Sequence, residues 1–230
     1  MTTFLTPERQ ALGETVRAFT AEQIAPYLRQ WEDAGELPRE LHKRAAALGL
    51  LGIGYPGEVG GSGGEAADVL VVTESVLAGG GSGGVIAGLF THGIAIPHII
   101  DSGDPDLIDR WVRPVLAGEL IACLAVTEPG GGSDVGNLLT RADESGDGWV
   151  LNGSKTFITS GARADVAVVA ARVRNAAGAA GVGLFAVPTD QPGFQVTGRL
   201  EKMGWHCSDT AEIGLMDARA ELITEQGFAS

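Results

Sequence analysis

The sequence predicts an α+β protein with a helical first half and a β-sheet second half. Apolar residues recur every three or four positions up to about residue 120, and from there they come in short runs separated by turn residues. With 230 residues, 44% of them hydrophobic, the chain can form a core without disulfides. We therefore expect an N-terminal all-α domain over residues 1–120 and a middle antiparallel β-barrel or β-sandwich domain over residues 121–230.

The helical half opens with a clear start signal. Thr6 can cap a helix and Pro7 suits its first position, and Leu12, Val16 and Phe19 follow at helical spacing. The same reasoning predicts further helices over residues 38–48, 65–78 and 104–118, with a glycine-rich loop over residues 55–64. Residues 75–100 carry no charged side chain but are too rich in glycine and polar groups for a membrane span, and they predict a buried helix and loop.

The second half contains short apolar runs that predict strands, at residues 121–126, 149–151, 156–159, 166–173, 182–187, 194–197 and 211–216. Asn152-Gly153 lies between two of these runs and predicts a hairpin turn. Ser154 and Lys155 follow the turn before the next run, so the register of the hairpin stays open.

Charge and cysteine content exclude several classes of protein. The chain has 16 Lys and Arg against 29 Asp and Glu, a net charge of −13, which argues against nucleic-acid binding and a polybasic membrane anchor. Cys123 and Cys207 predict two buried thiols, and with an N-terminus that lacks signal-peptide features they indicate a cytoplasmic protein. His92 and His98 lack a third ligand, so no metal site is predicted.

Three consecutive glycines, residues 130–132, follow the first predicted strand. Glycines let the backbone approach a ligand closely, and Thr127 and Ser133 add hydroxyl groups on either side of them. A phosphate-binding loop and a plain surface turn both fit this pattern, which matches neither the P-loop nor the dinucleotide fingerprint.

Longer motifs are more specific. They read Val126-Thr127-Glu128-Pro129-Gly130-Gly131-Gly132-Ser133-Asp134, Lys155-Thr156-Phe157-Ile158-Thr159-Ser160-Gly161 and Lys202-Met203-Gly204-Trp205-His206-Cys207-Ser208-Asp209-Thr210. In this order and spacing they resemble the signature segments of the flavin-dependent acyl-CoA dehydrogenases. Residues 56–64 and 117–119 also fit that family, so the resemblance covers essentially the whole chain.

The resemblance implies FAD as cofactor and a role for several residues. Thr127 would lie close to the isoalloxazine ring, and Ser133 by the pyrophosphate and at the edge of the acyl-CoA site. Phe157 stands where many members have Trp against the ring, and Thr159 would hydrogen-bond near the reactive nitrogen. The implied cofactor-binding set is Leu124, Ala125, Val126, Thr127, Gly132, Ser133, Phe157, Ile158 and Thr159, with Ser133 also binding substrate.

The resemblance further implies α,β-dehydrogenation of an acyl-CoA thioester in fatty-acid metabolism. An electron-transfer flavoprotein would accept the electrons, and the full-length protein would form a dimer or tetramer. The family's glutamate base lies in a C-terminal helical-bundle domain, which we expect this sequence to lack, so the chain alone should be inactive. Glu128 is adjacent to the glycines, but we interpret it as held by its own turn, and no catalytic residue is nominated.

Two other hypotheses remain open at this point. The chain is a non-catalytic subunit or fragment of an acyl-CoA dehydrogenase assembly, or it is a different flavoenzyme, of the monooxygenase or nitroalkane oxidase type, on the same scaffold.

Overall fold

The computed structural model describes residues 4–146, 148–174 and 180–224, in two compact units. The helical unit contains the chain up to Phe90 together with Arg113–Glu119 and Glu201–Ser208, and the strand unit contains Thr91–Val112, Leu120–Leu200 and the chain from Asp209 onwards. The predicted order, helices first and strands second, is confirmed. A domain boundary at residue 120 stays a prediction.

Local sequence signals start the helices of the helical unit. The Thr6 hydroxyl accepts a hydrogen bond from the Arg9 amide at 3.3 Å, as the predicted cap requires. Glu65 and Asp68 form a reciprocal capping box at another helix start. The α-helices of this unit are Pro7–Gln23, Leu28–Ala34, Arg39–Ala47, Ala66–Ala78, Gly83–Leu89 and Arg113–Leu116, with 3₁₀ turns at Ala25–Tyr27, Leu50–Gly52 and Gly57–Val59.

One core holds the helical unit together, and Cys207 belongs to it alongside apolar helix residues such as Val16 and Val85. The Cys207 amide and thiol both donate to the Glu32 carboxylate, each at 3.1 Å. Burial and the neighbouring Glu32 carboxylate raise the pKa of the Cys207 thiol to about 12. Cys207 and Cys123 are both buried and unbridged, which confirms the prediction for the two thiols.

Short helices precede the sheet of the strand unit. Asp104 accepts hydrogen bonds from the amides of Asp106 at 2.9 Å and Leu107 at 3.1 Å, so the predicted helix start there is confirmed. The helical segments of this unit are Thr91–Ile94, Ile96–Ser102, Pro105–Leu107, Ile108–Val112 and Val135–Asn137. Within the described residues, no helix has both the length and the apolar character needed to cross a membrane.

Seven strands follow: β1 Ala122–Ala125, β2 Arg141–Ser145, β3 Gly148–Thr159, β4 Val166–Arg174, β5 Ala180–Pro188, β6 Phe194–Arg199 and β7 Thr210–Leu222. Their order is β1-β4-β2-β3-β7-β5, and β4 also pairs with β5, so that five of them close into a ring. The pairings of β4 with β1 and with β2 are parallel, and the others are antiparallel. The ring encloses a core that includes Val169, Phe185 and Ile213.

The predicted hairpin at Asn152-Gly153 is wrong, because β3 runs unbroken through both residues. β2 pairs with one edge of β3 and β7 with the other, so the strand has partners on both sides of the supposed turn. A Cβ on Gly153 would lie 2.5 Å from the Thr140 hydroxyl oxygen. Glycine is needed here for a close approach and a register shift in the sheet rather than for a turn.

Strand β2 is missing from the sequence-based prediction. Its sequence, Arg-Ala-Asp-Glu-Ser, has one buried apolar residue, Ala142, and carries no hydrophobic alternation. Its pairing with β3 and β4 fixes the strand, and propensity has little part in it.

Candidate functional site

The glycine loop, residues 127–138, leaves the sheet at the end of β1. Glu128 and Gly131 close a tight turn through two backbone hydrogen bonds of 2.9 and 3.1 Å. A Cβ added to Gly130 or Gly131 would meet nothing within 4 Å, whereas one on Gly132 would lie 3.2 Å from the Thr127 methyl carbon. The loop therefore presents open backbone at residues 130 and 131 and lies close to Thr127 at residue 132.

The Phe157 segment, residues 155–160, ends β3 with an irregular backbone. The register to β7 shifts between Lys155, opposite Ile213, and Ile158, opposite Ala211, which is the signature of a β-bulge. Phe157 has a φ of 60° and its side chain is 66% exposed. A bulky residue in the left-handed region is an outlier, and such outliers concentrate at functional sites.

The structure brings these two segments together. The Thr156 amide donates to the Thr127 carbonyl at 2.9 Å, and the Lys155 ammonium donates to the Val126 carbonyl, also at 2.9 Å. The two motifs are separated by 20 residues in sequence, and they lie side by side in the strand unit.

Each predicted cofactor residue has a definite place here. The side chains of Leu124, Val126 and Thr127 are half-buried, Gly132 is half-buried and Ser133 is exposed. Ala125 and Ile158 lie in the core of the strand unit, so a ligand could reach only their backbone. Phe157 and Thr159 flank Ile158, and their side chains are exposed and half-buried.

The chemistry of these residues fits a flavin. The hydroxyls of Thr127, Ser133 and Thr159 make no hydrogen bond to any part of the chain that the structure describes, and are thus available to a ligand. The same two segments also carry an exposed aromatic ring and the open backbone of the loop. A ring system with polar edges and a pyrophosphate needs these groups.

A buried ion pair joins the Phe157 segment to the glycine loop. The Lys155 ammonium contacts the Glu128 carboxylate at 2.9 Å, with side-chain exposures of 0% and 6%. Burial works to raise the pKa of Glu128, but hydrogen bonds from Thr140, Lys155 and Leu139 outweigh it and lower the pKa to about 2. Burial also lowers the pKa of Lys155, against the opposing effect of the Glu128 carboxylate.

Glu128 is therefore a structural carboxylate. The amides of Leu139 at 2.7 Å and Thr140 at 2.9 Å donate to its oxygens, and so does Lys155. The interpretation of Glu128 as non-catalytic agrees with this geometry, although its partners lie well beyond its own turn. A lowered pKa is the wrong direction for a general base, which works best with a pKa near the operating pH.

Asp209, in the third signature segment, supports the far end of the Phe157 segment. Its carboxylate accepts from the Ala162 amide and from the Arg163 guanidinium, each at 2.9 Å, and its carbonyl accepts from the Ser160 amide. Asp209 therefore holds the residues that follow β3 in place.

Sequence reasoning missed the part played by Lys155 and by the Thr91–Ser160 contact, in which two buried hydroxyl oxygens lie 2.9 Å apart. No signal in the sequence marks the ion pair, because Lys155 and Glu128 are 27 positions apart. In the part of the chain that the structure describes, His, Cys, Asp and Glu form no group of three that could hold a metal ion.

Comparisons with known proteins agree along both units. The family model described as the acyl-CoA dehydrogenase N-terminal domain matches residues 6–119, and the one described as the middle domain matches residues 123–218. The long-chain specific acyl-CoA dehydrogenase of rat mitochondria is 38% identical over 215 residues, which cover 92% of this chain and 49% of the rat protein. The chain thus spans about half the length of this curated relative.

Solved structures show the same fold. A probable acyl-CoA dehydrogenase from Mycobacterium abscessus superposes with a TM-score of 0.92 and 55% identity, covering 96% of this chain and 60% of that one. A glutaryl-CoA dehydrogenase from Mycobacterium smegmatis, solved in complex with FADH2, has a TM-score of 0.87 and 30% identity, with coverages of 98% and 57%. Because the two family models together cover most of its residues, this chain belongs to the acyl-CoA dehydrogenase family.

Proposed function

We propose that this chain provides the flavin-binding part of an FAD-dependent acyl-CoA dehydrogenase. The observation that carries the proposal is the meeting of the glycine loop with the Phe157 segment. These two segments carry an exposed ring and three hydroxyls that have no partner among the described residues. The glutaryl-CoA dehydrogenase relative, solved with FADH2, supports the choice of cofactor.

Each group has a definite task in this proposal. Thr127 and Thr159 hydrogen-bond the polar edge of the flavin ring, and Phe157 covers a face of it and excludes water. Ser133 and the open backbone at residues 130 and 131 bind the pyrophosphate, and Ser133 also touches the acyl-CoA. FAD, when bound, supplies the acceptor for the hydride that leaves the β-carbon of the thioester.

In this proposal, none of these residues is the base that removes the α-proton. The family resemblance assigns it to a glutamate of a C-terminal helical domain, and the low pKa of Glu128 argues against a substitute. An electron-transfer flavoprotein as electron acceptor, homo-oligomerisation and a cytoplasmic location are further parts of the proposal.

The test is a titration of the purified chain with FAD, followed by addition of an unreactive thioether analogue of an acyl-CoA. We expect saturable FAD binding and a shift of the flavin absorbance band when the analogue is added. No FAD binding would contradict the proposal. A shift with nitroalkanes and none with the analogue would favour the alternative flavoenzyme.

A further inference from the structure

Lys155 has an unusual place for a lysine. It lies in strand β3, opposite Ile213 of β7, and its side chain is fully buried. Burying an ammonium group is costly unless it is paired and hydrogen-bonded. The pairing is present, since the ammonium donates to the Glu128 carboxylate and to the Val126 carbonyl, both at 2.9 Å.

The partners of Lys155 all belong to the glycine loop or to its entrance. Val126 is the residue before Thr127, and Glu128 is the residue after it. Through its carboxylate, Glu128 also holds the amides of Leu139 and Thr140, where the chain leaves the loop. The ion pair thus ties both ends of the loop that carries Ser133 to one point on β3.

The next two residues on β3 extend this connection to the ring. The Thr156 amide donates to the Thr127 carbonyl, and Phe157 follows in its left-handed conformation. Between Lys155 and Ile158, the strand departs from regular pairing with β7. Any movement of Lys155 would therefore alter the spacing between the Thr127 hydroxyl and the Phe157 ring.

We propose that Lys155, paired with Glu128, is a positioning residue that fixes the glycine loop and the Phe157 ring as one preorganised binding surface. This role rests on the proposed flavin site. An apolar residue could fill the same space in the core, but it could not hold the Val126 carbonyl and the Glu128 carboxylate together.

The first test needs no cofactor. In the Lys155→Met variant we expect amide hydrogen exchange at Thr156, Leu139 and Thr140 to accelerate at least tenfold. Exchange at Val168 and Ala170, inside the β4–β5 pairing, should keep its rate. A control is Arg110→Met, which breaks another ion pair of the same unit, with Glu221, and should leave those three amides unchanged. Unchanged protection of the three amides in Lys155→Met would overturn the proposal.

The second test asks whether Lys155 affects FAD binding through the position of the Phe157 ring. Phe157→Ala should weaken FAD binding about tenfold in the wild-type background and less than twofold in the Lys155→Met background, because the ring is already misplaced there. Additive losses in the double variant would overturn the proposal. Should Lys155→Met fail to fold, Glu128→Gln breaks the same pair with nearly the same shape and is judged by the same two readouts.

Different results would refute the proposed function and the positioning role of Lys155. If the wild-type chain does not bind FAD, the proposed function is wrong, and the exchange rates of Thr156, Leu139 and Thr140 alone decide whether Lys155 joins the segments. If FAD binds and the exchange and coupling results are negative, the proposed function stands and the positioning role is wrong.

Discussion

The backbone at Phe157 is strained, and the packing of its own side chain does not offset the energetic cost. With a φ of 60° and 66% of its side chain exposed, this residue gains little from packing. The left-handed conformation costs an L-residue roughly 1–2 kcal/mol. The surrounding hydrogen bonds must therefore hold the conformation, as expected where an exposed ring serves a ligand.

Glycine at position 157 should relieve that strain. We expect Phe157→Gly to be more stable than Phe157→Ala by about 1 kcal/mol in urea unfolding, since glycine adopts positive φ freely. At Gln195, an exposed residue of β6, the order should reverse, because glycine weakens a regular strand. Equal stabilities of the two Phe157 variants would show that the backbone at residue 157 is not strained.

Ser133 should contribute to ligand binding. Loss of a hydrogen bond to a charged phosphate costs about 1.5–3 kcal/mol, so Ser133→Ala should weaken FAD or acyl-CoA binding at least tenfold. Ser145→Ala, which removes another exposed serine of the strand unit, is the control and should bind as the wild type does. Calorimetric titration measures both affinities, and unchanged values for Ser133→Ala would refute the assignment.

The Glu128 carboxyl gives a pH prediction. Its pKa falls from 4.5 to about 2 on folding, so its contribution is complete above pH 4.5 and is lost as the pH falls towards 2. The wild-type free energy of unfolding should fall by about 2 kcal/mol more than that of Glu128→Gln between pH 6 and pH 3. Urea unfolding at several pH values measures the difference. Parallel pH profiles would show that the carboxylate is not stabilised as the structure indicates.

Single elements show where sequence reasoning succeeds and where it stops. Helix starts at Thr6 and Asp104 were predictable because a cap acts within one turn. β2 was not, because its sequence carries no hydrophobic alternation, and the continuous course of β3 was not, because its partner β7 lies far along the chain. The site residues stay a prediction from family resemblance, whereas the Lys155–Glu128 pair requires knowing which segments are neighbours in space.

Strand β3 also gives a prediction at the scale of an element. A Cβ at residue 153 would lie 2.5 Å from the Thr140 hydroxyl oxygen and 2.7 Å from the Thr140 Cα, so Gly153→Ala should destabilise the protein by about 1–3 kcal/mol. Gly148 lies in the same strand, and its added Cβ would meet only Ala220 at 3.8 Å. Gly148→Ala should therefore be neutral or slightly stabilising in thermal unfolding. Similar melting temperatures for the two variants would contradict a tight contact at Gly153.

For the 230-residue chain as a whole, the proposed function predicts binding without turnover. The matched family models are the N-terminal and middle domains, and the family resemblance assigns the catalytic glutamate to a further domain. Lack of a general base slows proton removal by about 10²–10⁴-fold. The chain mixed anaerobically with FAD and acyl-CoAs of several lengths should leave the flavin band at its oxidised absorbance. Rapid bleaching would show that these 230 residues include a base.

The closed ring of strands also has a consequence for how the polypeptide acquires its fold. β4 has three partners, and one of them, β1, pairs in parallel across about 40 intervening residues. The ring closes only when β7, Thr210–Leu222, joins β3 to β5. Such long-range pairing slows folding, and until β7 leaves the ribosome β3 and β5 have unpaired edges that invite aggregation. The last signature segment is therefore synthesised just before the sheet can close. A ribosome stalled before residue 210 would carry an aggregation-prone nascent chain whose sheet is still open.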